Sequence, residues 1–308
     1  MDDSAFAGPT PVHGDLDVSW IHGSPRRRVR TDPPIQVHAY DEHTYLLRQS
    51  KDVTFEAPFV VLLLGDERAL LLDTGATKDR TLRDTVDGLI AGWLATHPRE
   101  IYPLVVAHTH GHGDHRAGDG QFADRPYTDV VGTDLDSVRQ YFEFTDWPSQ
   151  VVRFELGGRT LDITGTPGHH VTAVTIYDPW SGLLLTGDTV LPGRLLVEDM
   201  PAFLDSLRRM IELAEARDVT HVFGCHVEMT RTAGRDYPFA ALYQPDELPP
   251  QLTVADLRAV QDAAEKVAGE RGVHPFGTFV VYNDPGKVAL AKQAARALAF
   301  RLRRRLSR

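Results

Sequence analysis

Residues 106–115 read Val106-Ala107-His108-Thr109-His110-Gly111-His112-Gly113-Asp114-His115. Four histidines and one aspartate fall within eight positions, whereas the whole 308-residue chain holds only 14 histidines. A polar surface loop would rarely collect them by chance. His110, His112, Asp114 and His115 form an H-x-H-x-D-H pattern, and imidazole and carboxylate donors suit zinc and related first-row metals. The apolar run 102–107 leads directly into the pattern. It is long enough for a buried strand and too short for a helix. Gly111 and Gly113 are expected to let the backbone turn tightly, so that neighbouring side chains diverge towards two centres.

Four donors in one segment cannot complete two metal sites, so other segments have to contribute. Three later strand candidates end on suitable side chains. His169 follows the run 159–165, Asp188 follows 183–186, and His226 follows 221–224. Each lies just past a buried strand, where α/β sheets place their ligands. His108 reads as a strand-end group supporting the cluster. His170 is expected to point elsewhere than its neighbour His169. Cys225 reads as a small buried residue and Asp119 as a surface charge.

Strands are expected at 35–40 and 43–49, and a hairpin at 59–64 and 69–73 turned by residues 65–68. Leu82, Val86, Leu89, Ile90 and Trp93 recur at helical spacing within 79–96. Further helices are expected at 133–143, 200–216 and 254–268, and strands at 151–155, 174–177 and 278–282. Residues 1–34 are rich in Pro, Gly and Asp and read as an N-terminal arm. Residues 35–286 are expected to form one domain, and 287–308 a basic C-terminal helix packed on it.

Apolar residues make up 42% of the chain and charged residues 25%, the balance of a globular protein. Net charge is −10, which argues against a nucleic-acid partner. Residues 287–308 carry eight Lys or Arg and no acid, leaving 25 basic against 43 acidic residues elsewhere. A single cysteine forbids an internal disulfide and fits a reducing compartment. The N-terminus lacks the basic and apolar regions of a signal peptide. No stretch has the apolar length of a membrane span. A cytoplasmic location and a small-molecule substrate are expected, and the arm suits the contacts of a homodimer.

With Leu72-Asp73-Thr74-Gly75 added, all these segments together resemble the metallo-β-lactamase-fold hydrolase superfamily over residues 35–230. The resemblance implies an α/β protein, a four-layer αββα sandwich with metals at one edge of its two sheets. By the same resemblance His110, His112 and His169 hold one metal, and Asp114, His115 and His226 a second. Asp188 bridges the two, and Asp73 supports the metal-binding loop. The implied cofactors are two zinc ions, with manganese or iron in some relatives. The implied reaction is attack by a metal-bridging hydroxide on the carbonyl of a small ester, lactone, thioester or amide, with Asp114 orienting the nucleophile.

A bridging aspartate resembles glyoxalase-II-like and lactonase-like members rather than true β-lactamases. The basic cluster with which glyoxalase-II enzymes hold glutathione is not recognisable near the C-terminus. A nuclease or phosphodiesterase, or an iron-dependent redox protein of the same fold, stands as the alternative. The loop 227–250 follows His226 and offers Arg231, Arg235 and Tyr237 as substrate contacts.

Overall fold

The computed structural model describes residues 11–26 and 29–306; the first ten residues, Arg27, Arg28 and the last two lie outside the described part of the arm and tail. The first sheet runs in chain order: β1 (Ile35–Asp41), β2 (Thr44–Gln49), β3 (Phe59–Leu64), β4 (Ala69–Leu72), β5 (Leu104–Ala107) and β6 (Thr128–Val130). β1 to β4 pair antiparallel. β4, β5 and β6 pair parallel, which requires a crossover, and α1 (Thr81–Leu94) supplies the first one. The short α2 (Gly113–Arg116) and α3 (Leu135–Tyr141) follow β5 and β6.

The second sheet begins with β7 (Val151–Glu155), β8 (Thr160–Gly165), β9 (Val174–Asp178) and β10 (Leu183–Gly187). The chain then leaves it through β11 (Arg194–Val197) and α4 (Met200–Glu215). It returns as β12 (His221–Gly224) and β13 (Gln251–Leu252), completing the order β13-β12-β10-β9-β8-β7. Next come α5 (Val254–Val267), β14 (Gly272–Pro275), β15 (Val280–Asn283) and α6 (Lys287–Leu306). β11, β15 and β14 make a third, small sheet.

Side-chain alternation explains the layering. In β3, Phe59, Val61 and Leu63 face the second sheet, while Val60, Leu62 and Leu64 join Leu82, Val86, Ile90 and Trp93 of α1. β10 and β12 repeat the arrangement: Leu183, Leu185 and Phe223 pack between the sheets, and Leu184 and Val222 pack on α4 and α5. The expected αββα sandwich is therefore built from strands buried on both faces. α4 starts where Asp199 accepts a hydrogen bond from the Ala202 N–H, with proline in the first turn.

The two ends of this sandwich differ. Strand ends β5, β8, β10 and β12 gather the histidines. At the opposite end Arg159 and Asp178 are both buried and paired. Arg159 donates from Nε and Nη2 to the Asp178 carboxylate at 3.0 and 2.5 Å, from Nη1 to the carbonyls of His43 and Leu64 at 2.8 and 3.0 Å, and from Nη2 to Thr44 Oγ1 at 2.8 Å. All five guanidinium donors are satisfied.

Residues 11–26 and 29–34 run along the sandwich, with the Val12 N–H on the Trp180 carbonyl and Trp20 edge-on to Phe59. α6 lies against the domain on the face of Ala289, Gln293, Ala297 and Phe300, and Arg296 donates to the Asp236 side chain and carbonyl. No helix among the described residues is long and apolar enough to cross a membrane.

Candidate metal centre

β5 delivers the motif, but its glycines act differently from expectation. Neither Gly111 nor Gly113 adopts a positive φ. His112 is extended and caps α2, so Asp114 and His115 are presented from a helical turn. Gly111 is needed for room: a Cβ there would lie 2.9 Å from the His170 ring. Positive φ falls instead at Gly168 and Gly187, immediately before His169 and Asp188. A Cβ on Gly168 would meet the Phe203 backbone at 2.4 Å, and one on Gly187 would meet Thr109 at 2.7 Å. These two glycines let strands β8 and β10 turn sharply into the cluster.

The side chains fall into two groups. In the first, His110 Nε2 and His112 Nδ1 are 2.9 Å apart, and His169 Nε2 lies 3.3 and 3.1 Å from them. In the second, His226 Nε2 stands 3.3 Å from Asp114 Oδ2 and 3.4 Å from His115 Nε2. Asp188 lies between the groups, with Oδ2 3.5 Å from His115 Nε2 and 3.8 Å from His169 Nε2. Its Oδ1 is buried and has no hydrogen bond. All seven expected residues meet here, from both sheets.

Backbone carbonyls orient the outer histidines. His169 Nδ1 is 2.8 Å from the Leu196 carbonyl and His226 Nδ1 3.0 Å from that of Glu56, so each Nδ1 donates and each Nε2 is turned inwards. Asp73 has φ +72°, a left-handed conformation that aspartate tolerates better than most residues. Its carboxylate accepts from the Thr109 N–H at 2.7 Å, from Thr109 Oγ1 at 2.9 Å and from His115 Nδ1 at 2.8 Å. Cys225 is buried with Sγ 3.4 Å from Asp73 Oδ2, and burial pushes the thiol pKa up. His108 holds Asp119 at 2.8 Å, and Thr74 donates to the same oxygen at 2.7 Å. Asp119, expected as a plain surface charge, is thus a link between the motif and the Asp73 loop.

Electrostatics separate the groups. Burial, aided by His115, lowers the pKa of His110 well below its ordinary value, and burial also lowers His169. In the second group burial opposes charge but the neighbours win. Asp188 and Asp114 push His226 up to about 9, and His226 holds Asp114 at about 2. Glu56 is pushed up to about 7 by burial and by Asp114.

Three imidazoles with converging nitrogens, a carboxylate-rich group beside them and a buried carboxylate oxygen without a hydrogen bond between them fit divalent cations. Each group offers ligand atoms within 4.8 Å of one another. The family model of the metallo-beta-lactamase superfamily matches residues 53–226. The chain belongs to this superfamily. It is a metal-binding hydrolase.

This metallo-beta-lactamase-superfamily chain is 27% identical over 217 residues to a hydroxyacylglutathione hydrolase of Anaeromyxobacter dehalogenans, covering 64% of this chain and 77% of that one. It is 26% identical over 200 residues to the acyl-coenzyme A thioesterase MBLAC2 of Bos taurus, covering 54% and 71%. The first is of the glyoxalase-II type that Asp188 suggested in the sequence. The structure of the metallo-β-lactamase FIM-1 from Pseudomonas aeruginosa shares the fold, with a TM-score of 0.50 at 14% identity over 77% of this chain and 97% of that one.

The three loop residues are placed otherwise. Arg231 and Arg235 are exposed on a hairpin whose tip leans on Gly277, through the Gly234 N–H. Tyr237 is buried, and its hydroxyl accepts from the Asp246 N–H at 2.7 Å. No described contact joins any of the three to the histidine cluster. Residues the sequence did not single out stand nearer: Glu56 and Leu196, through the carbonyls that orient His226 and His169. Only their neighbourhood in the fold marks them.

Proposed function

We propose that the chain is a two-metal hydrolase of acyl thioesters or related small esters. The observation that carries this reading is Asp188, reaching towards both donor groups from a buried position, with Oδ1 3.5 Å from His226 Nε2 and without a hydrogen bond. His110, His112 and His169 would hold one ion and Asp114, His115 and His226 the other, with Asp188 placed to reach either. Zinc is the expected metal. Bound there, the ions supply Lewis acidity, lowering the pKa of water to about 7 and polarising a carbonyl.

The chain's own groups do the rest. Asp114 remains ionised at neutral pH, because His226 holds its pKa at about 2. Its carboxylate would orient the attacking water by accepting a hydrogen bond; so low a pKa makes it a poor proton acceptor in the ground state. Asp73 keeps His115 in one tautomer, and the Leu196 and Glu56 carbonyls do the same for His169 and His226. The thioester class is supported by the relatives, whose names are a hydroxyacylglutathione hydrolase and an acyl-coenzyme A thioesterase.

The test is a hydrolysis panel on zinc-loaded protein, with metal content measured by mass spectrometry. It comprises an acyl-coenzyme A, a glutathione thioester, an aryl ester, a lactone, a β-lactam and a phosphodiester. Turnover of a thioester or ester with two metals per chain, abolished in Asp188→Ala, is expected. Turnover of the phosphodiester alone, or full activity with one metal, overturns the reading.

A further inference from the structure

Scattered apolar side chains are ordinary on a surface; a contiguous set is not. Among the described residues no helix except α6 leaves large apolar side chains exposed. α6 leaves four, Val288, Leu290, Leu298 and Leu302, the first of them 71% exposed. Val288, Ala291, Ala295, Leu298 and Leu302 follow one another at intervals of three and four, so they form one row along the helix, and all five are exposed. The face packed on the domain, through Ala289, Gln293, Ala297 and Phe300, is the opposite one.

The helix is fastened with this row outwards. Arg296, on the inner side, donates to the side chain and the carbonyl of Asp236, and Asp236 pairs in turn with Arg194 at 3.2 Å. Rolling the row onto the domain would take a partner from Asp236, which is buried.

Charge decides what can cover the row. Exposed Lys287 and Lys292 flank it on either side. Residues 287–308 hold eight Lys or Arg and no acid, while the rest of the chain holds 25 basic and 43 acidic residues. A second copy of α6 would set like charges against each other along the row. Nucleic acid would meet the charges and leave the apolar side chains in water. Exposed Leu290 stands outside the row, so the apolar arc is broader than the narrow seam of a helix pair. An anionic bilayer matches all of these features: its headgroups take the basic side chains, and its acyl boundary takes the row.

We propose that α6 docks the protein on an anionic lipid surface, lying in the plane of the interface with the row from Val288 to Leu302 sunk into it. The acidic remainder of the chain is repelled by the same surface, so the molecule approaches with α6 leading. The docking is independent of the hydrolytic reading.

Vesicle flotation of the full chain tests it. The probes are vesicles of phosphatidylcholine alone and of an equal mixture with phosphatidylglycerol. Binding to the mixed vesicles and not to the neutral ones is expected, weakening as salt is raised. Lys292→Glu should weaken it by at least about 5-fold. Leu298→Ser combined with Leu302→Ser should weaken it by at least about 10-fold. All three side chains are exposed, so their loss leaves the packed face of α6 untouched. Ile101→Ser, at an exposed apolar position before β5, should bind as the wild type does. Failure to bind the mixed vesicles, equal binding to both kinds, or unchanged binding in the α6 variants overturns the proposal. A dimer in sedimentation that the serine pair dissolves, without vesicle binding, would assign the row to a second copy instead.

Discussion

Both ends of the β-sandwich bury a charged cluster, and the two clusters are opposites. At one end Arg159 and Asp178 are fully buried, and every guanidinium hydrogen is spent within the chain. At the other, seven donors converge on one another and one oxygen of Asp188 is left over. A closed cluster is part of the scaffold. An open one, with imidazole nitrogens and carboxylate oxygens converging on one another, is a binding site for cations. Burial of charge is thus not a signature of function on its own; incompleteness is.

The strongest way to break the comparison is at Asp188. Loss of a supporting partner of a metal ligand usually costs 10- to 100-fold, so Asp188→Ala is expected to cost at least about 100-fold in kcat with depleted metal. Steady-state kinetics beside metal analysis reads both. Undiminished activity would place the chemistry elsewhere.

At the closed end the currency is stability. Arg159→Met leaves Asp178 buried without its partner, and urea unfolding should show a loss of about 3–5 kcal/mol. Metal content of the folded protein should not change. Replacing both, as Arg159→Met with Asp178→Leu, should recover much of the loss, since a matched apolar pair strands no charge. Failure to recover would mean that the donors to His43, Leu64 and Thr44 carry the effect.

Asp73→Asn is expected to have a smaller effect. The carboxylate that fixes His115 and Thr109 becomes an amide of the same shape, and metal affinity should fall about 10- to 100-fold in a competition titration. Wild-type affinity would show that the strand ends alone set the histidine.

The smallest effect is pH dependence at the closed end. Burial opposes ionisation of Asp178, but Arg159 and its other hydrogen bonds hold its pKa below the ordinary 3.8. Between the folded and unfolded values the unfolded chain binds more protons, so stability rises with pH there. The contribution is complete above the ordinary carboxylate value and is lost as pH falls through the folded one. Acid unfolding curves of wild type and the double variant should therefore converge as the pH is lowered. Parallel curves would remove Asp178 from the titration.

The sequence disclosed these two ends unequally. Metal donors were legible because few other forces collect imidazoles and carboxylates at successive strand ends. The core strands β3, β4, β5, β8, β9, β10 and β12 were legible from their apolar runs. Arg159 and Asp178 sit 19 residues apart in unremarkable surroundings, and only the packing of β2, β8 and β9 unites them. β6 and β14 are short and half exposed, without the apolar run that betrays a buried strand. Asp119, Glu56 and Leu196 owe their roles to neighbours that no local pattern names. The glycines illustrate the limit well: the conspicuous pair in the motif have ordinary backbone angles, while Gly168 and Gly187 take the unusual ones.

The donors come from both sheets, with His110, His112, Asp114 and His115 following β5 and His169, Asp188 and His226 following β8, β10 and β12. A cation held by such a set is a clasp closing one edge of the sandwich, and its grip obeys mass action. Free ion at 100 times its dissociation constant adds about 2.7 kcal/mol to the folded state, and chelator withdraws it. The melting temperature of this chain is accordingly a property of the solution as well as of the polypeptide, rising with each increment of available metal.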